Sequence, residues 1–245
     1  MKRSMYVMAI ALFTLGLSTS CQKDETNTSA DVTSEVADEI ASSLASPSTG
    51  ITDEMADFTE NVEDNYSSLK SAVPDTLYAV DTLFTKSNNN GATFLFNYSY
   101  DLAYGLVYES GNTYAYYNGS LSGSYDGTRF SGSEDRTNVW NLSGFAVSAT
   151  VYTLNGTIER DGSTQSKIGA MSYMKSASEI TVTNVKMNKG TYDLEGGELN
   201  WHISGTVAGQ SFDYTASVVF SGNGTAELTL EGEIYIINLT TGTIE

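Results

Sequence analysis

Phe94-Leu-Phe-Asn-Tyr-Ser-Tyr-Asp-Leu-Ala-Tyr-Gly-Leu-Val-Tyr108 alternates without a break. Phe94, Phe96, Tyr98, Tyr100, Leu102, Tyr104, Leu106 and Tyr108 are large, while the positions between them, including Asn97, Ser99, Asp101 and Gly105, are mostly small or polar. Successive side chains of an extended chain point to opposite faces, so this period of two predicts an antiparallel strand buried on one face only. At about 3.4 Å per residue the strand would run roughly 50 Å, long enough for a bulge to be expected at Asp101 or Gly105.

The same pattern continues downstream. Leu199, Trp201, Ile203 and Val207 share one phase, as do Phe212, Tyr214, Ala216, Val218 and Phe220. Leu228, Leu230, Ile234 and Ile236 continue the set, with Glu227, Glu231 and Glu233 expected to face water. Turn-forming pairs punctuate the runs at Asn90-Gly91, Ser110-Gly111-Asn112, Asp126-Gly127, Asp161-Gly162, Asn188-Lys189-Gly190, Ala208-Gly209 and Gly222-Asn223-Gly224. Such short connections join antiparallel neighbours, because parallel strands need long crossovers. Glycines inside the runs (Gly119, Gly123, Gly144, Gly156, Gly205 and Gly232) suggest coiling. The expected fold is therefore mainly β, an up-and-down meander of about ten strands over residues 74–245, forming a curved sheet or barrel. A β-sandwich is the alternative.

Upstream, the period lengthens. Val32, Val36, Ile40 and Leu44 recur every fourth residue, with Glu35, Asp38 and Glu39 assigned to the opposite face. Ser46-Pro47-Ser48-Thr49-Gly50 breaks this helix. A second starts near Thr52 with Asp53 and Glu54 in its first turn, presents Met55, Phe58, Val62, Tyr66 and Leu69, and stops at Pro74. Residues 31–73 thus form a helical segment whose apolar stripes pack on the chain's own sheet, covering a face that a meander must otherwise leave open.

The N-terminus supplies an address. Met1-Lys2-Arg3 is a positive start, Met5 to Leu17 is an apolar run of 13 residues, and Ser18-Thr19-Ser20 are the small residues of a cleavage site. The run is too short for a permanent transmembrane helix, which takes about 20 residues. Cys21 is the only cysteine, so no intramolecular disulfide can form. Its position resembles the lipidated cysteine of bacterial lipoproteins, with Leu17 four residues before it, as in the relaxed lipoboxes of Bacteroidetes. Gln22-Lys23-Asp24-Glu25 resembles the signal that sends Bacteroidetes lipoproteins to the outer leaflet of the outer membrane. The resemblance implies a signal peptide over 1–20, a membrane partner engaged through acyl chains on Cys21, and a surface facing the cell exterior, while the polar, threonine-rich composition that follows predicts a disordered acidic tether over 21–30. Each buried methylene of such an anchor contributes roughly 0.8 kcal/mol. Asp75-Thr76-Leu77 and Asp81-Thr82-Leu83 resemble the Asp-Ser/Thr-aliphatic sequon of Bacteroidetes O-glycosylation, implying glycans on Thr76 and Thr82.

Charge narrows the partners. Residues 1–20 hold Lys2, Arg3 and no acid, so without them 12 basic residues become 10 against 30 acidic ones, a formal charge of −20. That excludes nucleic acid as an expected partner, since binding it depends on cations that neutralise phosphates. No spaced Asp-x-Asp-x-Asp-Gly loop suggests calcium, and neither a metal nor another cofactor is expected. His202, the only histidine, alternates away from Trp201 and should face solvent. With one histidine and no free thiol after lipidation, the common nucleophile systems lack parts, and no catalytic residue is assigned. Sixteen tyrosines against nine phenylalanines favour surfaces that are apolar with a wet edge. Tyr114, Tyr116 and Tyr117, beside the hairpin at 110–112, are the candidate aromatics for stacking on a ligand. The sequence thus reads as a non-enzymatic binding or structural module of the outer envelope, for a glycan or a protein partner. The alternatives are a lipocalin-like carrier of an apolar small molecule and, less favoured, a polysaccharide hydrolase.

Overall fold

The computed structural model describes residues 31–45, 50–70, 78–88, 94–109, 112–168 and 172–245. Two helices, α1 (Val32–Leu44) and α2 (Ile51–Lys70), precede eleven strands. These are β1 (Tyr78–Asn88), β2 (Leu95–Glu109), β3 (Asn112–Asp126), β4 (Phe130–Ser143), β5 (Val151–Ser166) and β6 (Tyr173–Asn188). They are followed by β7 (Leu194–Val207), β8 (Gln210–Gly222), β9 (Thr225–Leu230), β10 (Glu233–Asn238) and β11 (Thr243–Ile244). All belong to one sheet whose spatial order equals their chain order, each strand antiparallel to the next. The sheet is curved and does not close into a barrel, and among the described residues there is no second sheet of the kind a sandwich requires.

The helices occupy the concave face. Asp31 caps α1, accepting a 3.2 Å bond from the Thr33 amide. Thr52 at the start of α2 donates to the Leu44 carbonyl at 2.7 Å, fixing the corner between the helices. Val36, Ile40, Leu44, Ile51, Met55, Phe58 and Val62 are all buried in one cluster with strand residues such as Trp140, Leu154, Ile180, Trp201, Ile203 and Leu228. Burying an apolar side chain of this size contributes roughly 1.5–3 kcal/mol, which explains why both stripes turn toward the sheet. The helix α2 packs on β2, near the first edge, and α1 packs on β9, β10 and β11, at the last. The helical pair therefore spans the interval that a closed barrel would bridge with strand pairing. Arg129, in the β3–β4 loop, reinforces one end by donating to Asp38 of α1 (3.0 Å) and to the Gly242 carbonyl beside β11 (2.8 Å). The last edge is short, since β11 has two residues, and the first is mostly polar, β1 exposing Asp81, Thr85, Lys86 and Ser87 beside Leu83.

Several local expectations change. β2 pairs in continuous register with both β1 and β3, so no bulge occurs at Asp101 or Gly105. The irregularities fall instead in β5 at Leu154/Gly156, in β6 between Thr183 and Lys186, and in β8 at Phe220/Gly222. Gly156, at φ 154°, lies so close to β4 that a Cβ there would meet the Val139 carbonyl oxygen at 2.0 Å. Asp161-Gly162 is not a turn but the interior of β5, held extended by pairing with Asp135 and Glu134 of β4. The β9–β10 turn is Glu231-Gly232, both at positive φ, so Gly232 is a turn glycine and not a strand one. That turn sets Tyr235 opposite Leu228 and Ile237 opposite Ala226, on the inner face. Ile234 and Ile236 consequently face outward, at 64 % and 39 % exposure, against the expected phase. Finally, Glu39 of α1 is buried against the sheet and does not lie on a solvated face.

Candidate functional site

Inside the curved sheet, strand β4 carries an unusual inner face. Its buried positions read Phe130, Glu134, Arg136, Asn138, Trp140 and Leu142, placing two charges and an amide among apolar neighbours. On β5, Arg160 follows Ile158 in the same inward phase. Charges in such surroundings persist only when paired. Arg160 donates from Nε to Glu134 at 2.6 Å and reaches Glu39 of α1 at 2.8 Å through its terminal nitrogen. Arg136 pairs with Glu54 of α2 and lies 3.8 Å from Glu134. Glu54 also accepts from Tyr117 Oη and Asn138 Nδ2, each at 2.6 Å. Three carboxylates and two guanidiniums thus run in one chain, Glu39–Arg160–Glu134–Arg136–Glu54, across both helices and two strands, with a formal sum of −1.

The electrostatics follow from that order. Burial alone would raise the Glu134 carboxyl, but Arg136 and Arg160 outweigh it and hold the group below the ordinary value. Burial would strip the proton from either arginine, yet Glu54 and Glu134 on Arg136, and Glu39 and Glu134 on Arg160, push both further up. Tyr117 is raised by burial and by the adjacent Glu54 charge, so its phenol stays a donor. The network ties each helix to the sheet through one acid, Glu39 of α1 and Glu54 of α2.

One end of this network opens to solvent. A cleft of about 220 Å³ lies between α2 and the first three strands. Asp53, Glu54, Asp57 and Asn61 of α2 supply its polar side, and Phe58 supplies an apolar floor. Across from them stand Thr82, Phe84 and Lys86 of β1, then Tyr100 and Tyr104 of β2 and Tyr117 of β3. Phe84 and Tyr100 are stacked, with ring centroids 4.9 Å apart and planes 5° from parallel. Phe58 packs on Tyr117 at 4.8 Å and edge-on to Tyr104 at 6.3 Å. Lys86 forms a 2.7 Å ion pair with Asp57 at the rim. Stacked rings beside convergent polar groups are the usual makings of a small-ligand site.

The residues singled out from sequence are dispersed. Tyr114 and Tyr116 are half-buried, while Tyr117 is buried on the opposite face of β3, stacked on Trp140 at 4.9 Å. The three cannot form one stacking platform, because i and i+1 alternate across a strand. Only Tyr117 reaches the cleft. Thr82 is half-buried in the cleft wall. Thr76, Cys21 and Gln22, Lys23, Asp24 and Glu25 lie outside the described residues. His202 is on the outer face of β7, as expected, with Nε2 2.7 Å from the Asp213 carboxylate. Among the described residues no group of three or more His, Cys, Asp or Glu could hold a metal ion, and no helix is long and apolar enough to cross a membrane. The buried ion chain was missed, although its strand half was visible: Glu134, Arg136 and Asn138 stand in phase with Trp140 and Leu142. Searches among family models, curated proteins and solved structures find no match to this chain.

Proposed function

We propose that the chain is a lipid-anchored module of the outer envelope, facing the cell exterior, that binds a glycan in the cleft between α2 and β1–β3 and performs no catalysis. The observation that carries this reading is the cleft itself, where the Phe84–Tyr100 stack faces the carboxylates of α2 and the Asn61 amide. Pyranose rings have apolar C–H faces and hydroxyl edges, and this combination of rings and hydrogen-bonding groups suits both. The anchor rests on the lipobox resemblance at Cys21. Residues 22–30, if extended, span at most about 30 Å, so the folded part starting at Asp31 would stay near the bilayer. The helices fill the concave face where a carrier would hold apolar cargo, which favours the module over a carrier. Glu54 is engaged by three donors, an arrangement that holds its charge in place and supports a non-catalytic role.

The test uses the full-length protein expressed in a Bacteroidetes host. Cys21→Ala should move it from the membrane fraction to the soluble one, and continued membrane association would remove the anchor. The detergent-extracted wild type should bind immobilised envelope polysaccharide, and Phe84→Ala, at the half-buried ring of the stack, should weaken that binding at least about tenfold, as loss of a stacked aromatic does at other recognition sites, with an unchanged thermal melt. Equal binding by wild type and variant would take the cleft out of the function.

A further inference from the structure

The cleft already holds one ligand-like group, and it belongs to the chain. The ammonium of Lys86 sits 2.7 Å from an Asp57 carboxylate oxygen and 5.8 Å from the centroid of the Tyr100 ring. A carboxylate on one side and an aromatic face on the other is how proteins hold an alkylammonium. This pair is also loosely kept: the Lys86 and Asp57 side chains are 46 % and 53 % exposed. Exposed ion pairs exchange readily with water and with competing ions. Around them the cleft is acidic, with Asp53 adding to Asp57 against a single lysine, Glu54 being already paired with Arg136. The formal charge of −18 over the whole chain favours cations over anions at every approach.

From this arrangement we infer that the glycan unit taken by the cleft is an amino sugar with a free amine, whose ammonium displaces Lys86 from Asp57 while its ring lies against the Phe84–Tyr100 stack. Lys86 is then an internal competitor that keeps the acid satisfied while the cleft is empty. The inference rests on the glycan reading and specifies its chemical class. A neutral or N-acetylated sugar lacks the cation and cannot release Lys86, so it forfeits the carboxylate contact. An acidic sugar meets carboxylates on the α2 side and is repelled.

The test is calorimetric titration of the full-length protein in detergent at neutral pH. Three probes of equal length are used: β-1,4-glucosamine oligosaccharides, their fully N-acetylated counterparts and cello-oligosaccharides. The glucosamine series should bind at least about tenfold more tightly than the other two, and added salt should weaken it, as it does any exposed charge pair. Asp57→Asn should abolish the preference. Lys86→Met should tighten glucosamine binding by up to about fivefold, the most that an exposed ion pair withholds. Equal binding of all three series, or weaker glucosamine binding by Lys86→Met, would overturn the amino-sugar inference and leave the glycan reading standing. Binding of none of them, by wild type and Lys86→Met alike, would overturn both. Asp57 and Lys86 are surface residues, and matching thermal melts of both variants and wild type confirm that the fold is intact.

Discussion

Replacing Arg136 by Met tests whether the buried ion chain holds the helices in the sheet. Arg136 is 3 % exposed and stands between Glu54 of α2 and Glu134 of β4. Met fills much of the same volume but removes the charge, taking away the guanidinium that faces Glu54 and leaving Arg160 to serve Glu39 and Glu134. Breaking a buried pair from one side costs about 3–5 kcal/mol, because the stranded charge stays desolvated. For a folded unit of this size that corresponds to a fall of about 6–20 °C in melting temperature. Glu54→Gln in the same background takes away one stranded charge and keeps an amide that can still accept from Tyr117. The double variant should therefore recover part of the loss, with a coupling energy of about 1–3 kcal/mol. Urea unfolding of wild type, both singles and the double, followed by tryptophan fluorescence from Trp140 and Trp201, measures each corner of the cycle. A loss below about 1 kcal/mol for Arg136→Met, or strictly additive effects, would refute the reasoning, since exposed pairs behave that way and buried ones do not.

Other expectations follow from the same geometry. Glu134 has a folded-state carboxyl value below its ordinary 4.5, so its stabilising contribution is present above that value and is lost as pH falls through the lower folded one. The stability gap between wild type and Glu134→Gln should accordingly narrow below pH 4.5 in urea melts, and a gap that widens there would contradict the pairing. Tyr117→Phe removes the 2.6 Å bond to Glu54 and should cost about 1.5–3 kcal/mol in the same assay, as loss of a hydrogen bond to a charged group does. Gly156→Ala places a Cβ 2.0 Å from the Val139 carbonyl oxygen and should destabilise by about 1–3 kcal/mol or more, with wild-type stability as the refuting outcome.

Much of the fold was legible because it is written in local periods. The alternation from Phe94 to Tyr108 identified β2, and the pairs Ala208-Gly209 and Gly222-Asn223-Gly224 marked the turns around β8, where positive φ values do occur. The fourfold spacing of Val36, Ile40 and Leu44 placed α1 and its buried stripe. Misreadings arose where pairing with a neighbour overrides a local signal. Asp161-Gly162 has turn chemistry, yet β4 runs alongside and keeps the segment extended. Ile234 and Ile236 follow the phase of Leu228 and Leu230 on paper, but the intervening two-residue turn reverses it.

By itself, then, the sequence determined which segments are strands or helices and that the strands join as a meander, because backbone geometry and side-chain alternation act within a few residues. Its anionic composition likewise follows from residue counts alone. Only the tertiary structure decided what lies inside the curve. Glu39 and Glu54 stand 80 and more residues from Arg136 and Arg160 in the chain, and neither acid carries a mark separating it from the solvated acids of its helix. They become partners because the sheet rolls around α1 and α2, and a desolvated guanidinium persists only where carboxylates face its N–H groups. The same packing of α2 against the first strands brings Asp57 to Lys86, 29 residues away in the chain, with the lysine over the Tyr100 ring.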